Sequence, residues 1–181
     1  MSKSLKTIQT ISKVAKVISN IIFIFSIIGA VACILAASAL AGSQNIMLEG
    51  QSMVNIIEST GINFVTFMFS CIVSFFACIG SAVIAKFAST YFTNELEDGT
   101  PFTHAGAKEL RRLGILAIVI PLAISILTSL TFTITKIFWP ILSEDALSSE
   151  PVSIVFGLML IVMSVVFKHG AEIVEKLYNN N

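Results

Sequence analysis

The chain has 181 residues, of which 55% are hydrophobic and 12% are charged. A soluble domain usually carries about 25% charged residues, and a surface this poor in charge aggregates in water but is tolerated by lipid. The length is that of one domain and leaves no room for a second soluble module. The composition therefore excludes a water-soluble globular protein and predicts a single membrane domain.

Four uncharged runs divide the chain. A helix needs about 20 apolar residues to cross a hydrocarbon core of about 30 Å. The last run is shorter, but it can still span if Lys168 extends its ammonium group to the interface. We therefore predict an all-α integral membrane four-helix bundle with cytoplasmic helix extensions. It forms one domain over residues 1–181, with spans near Val17–Ala41, Ile62–Ala85, Leu113–Thr135 and Pro151–Phe167.

The distribution of Lys and Arg predicts the orientation, because cytoplasmic loops are enriched in these residues. Of the 11 Lys and Arg residues, only Lys136 lies outside the N-terminal segment, the middle loop and the tail. This count predicts that both termini are in the cytoplasm (N-in/C-in). Residues 39–41, Ala-Leu-Ala, resemble a signal-peptidase site, but the long segment before them and the length of the apolar run favour retention as an anchor.

Two segments beside the spans have helical periodicity. Apolar residues among the lysines of the N-terminus predict a short amphipathic lead-in, which we place on the inner leaflet. In the outer loop, residues 42–61, Ile46, Met53, Ile56 and Ile57 predict a short interfacial helix, and a partner-binding surface is the alternative.

Small residues recur about every four positions in the first two spans. They let helix backbones approach closely in lipid, where apolar tails give no hydrophobic drive for association. We predict that these two helices form the tight pair of the bundle. The residues predicted to pack are Gly29, Cys33 and Ala37 in the first span and Ser74 and Ser81 in the second.

The third span contains Pro121 and a half rich in hydroxyl groups, from Ser125 to Thr135. Proline removes a backbone hydrogen bond and bends a helix. The hydroxyls can bond to backbone carbonyls or bridge helices. Threonines absorbed into helix packing are the favoured interpretation, and a polar pore lining is the alternative. Trp139 and Pro140 are predicted to mark the outer interface.

The middle loop is the most informative water-exposed segment. Asp98-Gly99 predicts a turn, Pro101 predicts that the helix stops, and Thr103 can cap the next helix. We predict that Phe102 inserts under the helix ends and clamps the turn, with a position in the lipid interface as the alternative. The acids Glu95, Glu97 and Asp98 are predicted to lie near the cations, which are Lys108, Arg111 and Arg112. The candidate partner-binding and structural residues are Glu95, Asp98, Gly99, Pro101, Phe102, Thr103, Arg111 and Arg112.

No residue pattern of an enzyme occurs in the sequence. The four membrane cores hold no ionisable residue of the kind that pumps and transporters carry, and nucleotide, metalloprotease and hydrolase motifs are missing. His104 and His169 could form a metal site with Glu109 or Glu172, but solvated histidines are the favoured interpretation. We therefore predict a non-enzyme with no catalytic, cofactor or metal site.

Two strings in the middle loop, ELEDGTPFT at 95–103 and AKELRRLGI at 107–115, carry a family resemblance. With VFKHGAEI at 166–173, they resemble a bacterial family of four-span membrane proteins of unknown function, the domain-of-unknown-function family 2975. The chain departs from the family in its short tail, residues 177–181. The resemblance implies four helices, a bacterial cytoplasmic (cell) membrane and no established chemistry. Members are often encoded beside a small helix-turn-helix regulator, which implies such a partner by analogy.

Two functional hypotheses follow. The first is a non-enzymatic interaction or regulatory protein in the lipid bilayer that docks a cytoplasmic partner, a small helix-turn-helix regulator or another protein, without contacting nucleic acid directly. The alternative is a small oligomeric channel or export accessory subunit that uses the hydroxyl-rich third helix. A homo-oligomer is compatible with both.

Overall fold

The computed structural model describes residues 3–42, 47–48, 51–52, 64–99, 102–138 and 152–179. Four long helices dominate: α1 Lys3–Gly42, α2 Phe64–Asp98, α3 His104–Phe138 and α4 Val152–Asn179. Two short strands, β1 Met47–Leu48 and β2 Gln51–Ser52, pair in an antiparallel ribbon. The prediction of four helices in an all-α chain is confirmed.

All four helices are long and apolar enough to cross a membrane, with mean hydropathy between 2.0 and 2.7. Large apolar side chains point outward along each of them; Phe25 is 68% exposed and Ile137 is 72% exposed. Exposed apolar area costs about 25 cal/mol per Å² in water, and lipid removes that cost. The outward faces are therefore suited to a bilayer.

The helices are longer than the predicted spans. At about 1.5 Å per residue, α1, α2 and α3 measure roughly 50–60 Å, against a hydrocarbon core of about 30 Å. α1 has 40 residues and begins at Lys3, so the lead-in is the start of the first helix. No Gly or Pro interrupts the helix before Gly29, so the predicted lead-in continues directly into the predicted first span.

Contacts divide the chain into two compact units. Unit 1 comprises Met1–Ile24, Ser81–Pro121 and Glu150–Asn181. It holds all the described residues of α4. Unit 2 comprises Phe25–Gly80 and Leu122–Ser149.

Unit 2 has an aromatic core. The rings of Phe69 and Phe132 meet edge to face with centroids 5.8 Å apart, and Val65 and Val73 pack against them. In lipid, where no water is expelled, contacts of this kind hold helices together through dispersion and fit.

Unit 2 also holds a close contact between α1 and α2. A Cβ atom on Gly29 would lie 2.9 Å from the Cys78 sulfur. Cys33 and Ala37 are half-buried further along α1, whereas Ser74 and Ser81 are exposed. Cys78, and not Ser74, therefore lies opposite Gly29.

In unit 1, α3 and α4 meet backbone to backbone. A Cβ atom on Gly114 would lie 2.9 Å from the carbonyl oxygen of Gly157, and one on Gly157 would collide with the Ile118 side chain. Only hydrogen fits at either position. This close approach was not among the packing pairs predicted from the sequence.

The outer loop differs from the prediction where the structure describes it. The ribbon pairs Met47 with Ser52 and Leu48 with Gln51, so the interfacial helix predicted from Ile46 onward is wrong over these residues. The rest of that predicted helix, from Met53, lies outside the described residues. Trp139 and Pro140 also lie outside them.

Candidate functional site

Polar side chains with inter-helix contacts concentrate in unit 1. We call this region the polar end and define it as residues 8–20 of α1, 86–98 of α2, 99 and 102–103 of the turn, 104–112 of α3 and 168–179 of α4. It contains every described middle-loop residue singled out in the sequence.

The turn between α2 and α3 is built from local backbone chemistry. α2 ends at Asp98, and Gly99 has a φ of 71°, which residues with a side chain rarely adopt. The Gly99 N–H donates to the Glu95 carbonyl at 3.1 Å, as in a left-handed helix cap. The predicted turn at Asp98-Gly99 is confirmed, while Pro101 lies outside the described residues.

Thr103 caps α3. The Gly106 N–H donates to Thr103 Oγ1 at 3.0 Å, which satisfies one of the free donors at the start of the helix. The Thr103 hydroxyl in turn donates to Asp98 Oδ2 at 3.1 Å, so the cap also joins the end of α2 to the start of α3. The predicted cap is confirmed.

Phe102 joins the turn to α4. Its ring lies edge to face with Phe167, with centroids 5.5 Å apart. It also covers Gly170, where a Cβ atom would lie 2.6 Å from the ring. The side chain remains 39% exposed. Phe102 therefore lies on α4 as a partly exposed cover, and the absence of a side chain at Gly170 makes room for it.

Two acidic residues of the polar end, Glu95 and Glu109, face its interior. Asn94 donates to Glu109 Oε1 at 2.7 Å, and the other oxygen of Glu109 is buried without a hydrogen-bond partner. The Ser12 hydroxyl hydrogen-bonds with the half-buried Glu95. Tyr91, close to both carboxyl groups, is 5% exposed. These contacts link α1, α2 and α3.

Glu95 lies about 15 Å along the helix beyond Ala85, the last residue of the predicted second span. Burial raises the pKa of its carboxyl group, and the hydrogen bond with Ser12 opposes part of that rise. The ionised form of Glu95 is therefore disfavoured by the fold.

The cations of α3 face outward. Lys108, Arg111 and Arg112 are exposed, and no ion pair in the described part of the chain joins them to a carboxylate. The predicted approach of Glu95, Glu97 and Asp98 to these cations therefore gives no ion pair among the described residues; Glu95 bonds to Ser12 and Asp98 to Thr103 instead. In the sequence, the acids and the cations lie in one charged loop. In the structure, the rotation of the helices about their own axes turns them to different sides.

The two histidines lie at the surface. His104 Nε2 is 3.4 Å from Glu175 Oε2, and His169 Nδ1 is 3.5 Å from Glu172 Oε2. Each has its own carboxylate, and no group of three or more His, Cys, Asp or Glu residues able to hold a metal occurs among the described residues. Exposed pairs such as these contribute about 0–1 kcal/mol each.

Two of the hydroxyls in the second half of α3, those of Thr131 and Thr133, bond within their own helix. Thr131 donates to the Leu127 carbonyl at 2.8 Å, and Thr133 donates to the Ser129 carbonyl at 2.9 Å. Hydroxyls satisfied in this way do not need water or another helix. The geometry favours threonines absorbed into the helix over a pore lining.

Sequence reasoning missed the polar contacts between α1 and α2 in unit 1. Ser89 donates to Asn20 at 2.7 Å, and the Lys86 ammonium lies 5.6 Å from the centre of the Phe23 ring. The available signal was a stripe of serines leading into the first apolar run, with Ser12, Ser19 and Ser26 at intervals of seven. A seven-residue interval returns to the same helix face.

No family model, curated protein or solved structure matches this chain. The fold and the polar end are therefore interpreted from their own residues.

Proposed function

We propose that this chain is a non-enzymatic membrane protein that docks a soluble cytoplasmic protein at its polar end. The observation that supports the proposal is the fixed turn between α2 and α3. Gly99, Thr103 and Phe102 anchor it to α2, α3 and α4 respectively. A surface that is already ordered loses less conformational entropy when a partner binds.

The proposed orientation places the polar end in the cytoplasm. It contains most of the Lys and Arg residues, which favour the cytoplasmic side. α2 and α3 continue beyond the predicted spans into this end, so the proposed docking surface stands clear of the hydrocarbon core.

The resemblance to the domain-of-unknown-function family 2975 supports a bacterial cell membrane as the location and a small helix-turn-helix regulator as the partner. The surface offered to such a partner carries both signs of charge. The acids Glu97, Asp98 and Glu175 are exposed there, and so is Lys176 on α4. Mixed charges of this kind give specificity and a faster encounter more than raw affinity.

The test is site-specific photo-crosslinking in cells. A photoreactive amino acid at Glu97 or His104 should yield one discrete adduct with a soluble protein, which mass spectrometry then identifies. The same amino acid at Thr133 is the matched control, because that residue is exposed at the other end of α3.

The proposal fails if Glu97 and His104 give no discrete adduct, or if Thr133 gives the same one. A discrete adduct that does not contain a helix-turn-helix protein would retain the docking function and remove the partner suggested by the resemblance.

A further inference from the structure

Three exposed cations near the start of α3 form a compact cluster on one helix face. Arg111 and Arg112 follow Lys108 by three and four residues. Side chains at these spacings are neighbours, with Cβ atoms about 5–6 Å apart. One phosphate group could therefore contact Lys108 and either arginine together.

The carboxylate best placed to neutralise the cluster is turned away from it. Glu109 precedes Arg112 by three residues, a spacing that allows an ion pair. One of its oxygens accepts from Asn94, however, and the other has no hydrogen-bond partner. The charge of the cluster is therefore available to an external anion.

The cluster is continuous with an apolar stripe. Ile115 follows Arg112 by three residues and Val119 follows Ile115 by four, so both continue the same face; they are 44% and 52% exposed. The face thus presents cations first and then apolar side chains, in the order of a phospholipid's headgroup and acyl chains. An acidic segment of a soluble protein would match the cations and leave the apolar stripe uncovered.

We propose that Lys108, Arg111 and Arg112 form a binding site for the headgroup of an anionic phospholipid whose acyl chains lie along Ile115 and Val119. The planar guanidinium groups suit bidentate bonds to phosphate oxygens, and Lys108 adds a point charge. The proposal does not depend on the docking of a soluble protein, which uses the turn and the exposed end of α4.

The test uses the purified full chain in detergent, titrated with short-chain phosphatidylglycerol or phosphatidylcholine, with bound lipid counted by native mass spectrometry. Wild type should prefer phosphatidylglycerol. In the double variant Arg111→Gln/Arg112→Gln, affinity for phosphatidylglycerol should fall by about tenfold or more. The double variant Lys13→Gln/Lys176→Gln loses the same charge at exposed positions away from the cluster and should keep the preference.

An equal loss of affinity for phosphatidylglycerol in the two double variants would show that the lipid is attracted by net charge alone. That result would overturn the proposed site. Equal binding of both lipids by wild type would overturn it as well. Tight binding of glycerol phosphate, which lacks acyl chains, or competition by polyglutamate would assign the cations to a soluble anion or an acidic protein. Because all four substituted residues are exposed, circular dichroism should show intact helices in both variants.

Discussion

At the scale of single residues, glycines set how closely the helices approach, because they have no side chain. Gly29, Gly114 and Gly157 each face a neighbouring helix at a distance that excludes a Cβ atom. In a bilayer, where lipid tails compete equally for apolar surface, such contacts depend on fit. The fit makes these positions sensitive to added volume.

Gly29→Leu should destabilise the protein, because the new side chain would collide with Cys78. Overpacking of this kind typically costs about 1–3 kcal/mol. Ser74→Leu is the matched control, since Ser74 is exposed, and it should change stability little. Thermal unfolding in detergent measures both variants. Equal melting temperatures would show that α1 does not depend on the Gly29 contact.

Glu95→Gln should raise stability above neutral pH and lose that advantage in acid. The folded-state pKa of Glu95 is raised, so the ionised carboxylate destabilises the fold at high pH and the protonated form does not at low pH. Glutamine is uncharged throughout and can still bond to Ser12. Unfolding measured at acidic and mildly alkaline pH checks the sign. Equal stabilisation by Glu95→Gln at both pH values would show that the charge of Glu95 is not responsible.

At the scale of elements, local signals in the sequence were sufficient to predict the end of α2 and the start of α3. Asp98-Gly99 and Thr103 act through their own backbone neighbours, so the turn and the cap could be predicted without knowledge of the fold. The contact of Gly114 with Gly157 could not, because the two glycines are 43 positions apart (157 − 114) and meet only when α4 docks.

The rotation of a helix about its own axis could not be predicted from the sequence either. Glu109 and Arg112 are neighbours on α3, and the pattern alone allows them to pair. The structure turns Glu109 toward Asn94 because α2 packs on that side. Which residue of a charged helix faces inward is decided by the neighbouring helix, and one sequence carries that information only weakly.

Phe102→Ala should loosen the turn more than Arg112→Ala does. Full burial of a phenylalanine contributes roughly 1.5–3 kcal/mol, and the partly exposed Phe102 contributes a fraction of that through Phe167 and Gly170. Arg112 has no ion pair among the described residues to lose. Limited proteolysis on inverted vesicles should therefore cut the turn faster in Phe102→Ala. If only Arg112→Ala is cleaved faster, electrostatic interactions and not Phe102 hold the turn in place.

At the scale of the whole molecule, the uneven distribution of cations predicts the topology. A reporter that is active only in the cytoplasm should give signal when fused after Asn181. It should give none when fused near Gln51 after truncation, because only Lys136 lies outside the cation-rich segments. The reverse pattern would invert the molecule and move the polar end out of the cytoplasm.

The exposure of α1 has a consequence for biogenesis. The most apolar window of this helix has a mean hydropathy of 2.7, and none of it is buried inside the protein. Its described contacts with α2 are made by Ser12, Asn20 and Phe23 in unit 1 and by Gly29 in unit 2. Partitioning into the bilayer therefore needs no help from the later helices. The nascent chain can enter the membrane with α1 first and form these contacts only after α2 has been synthesised.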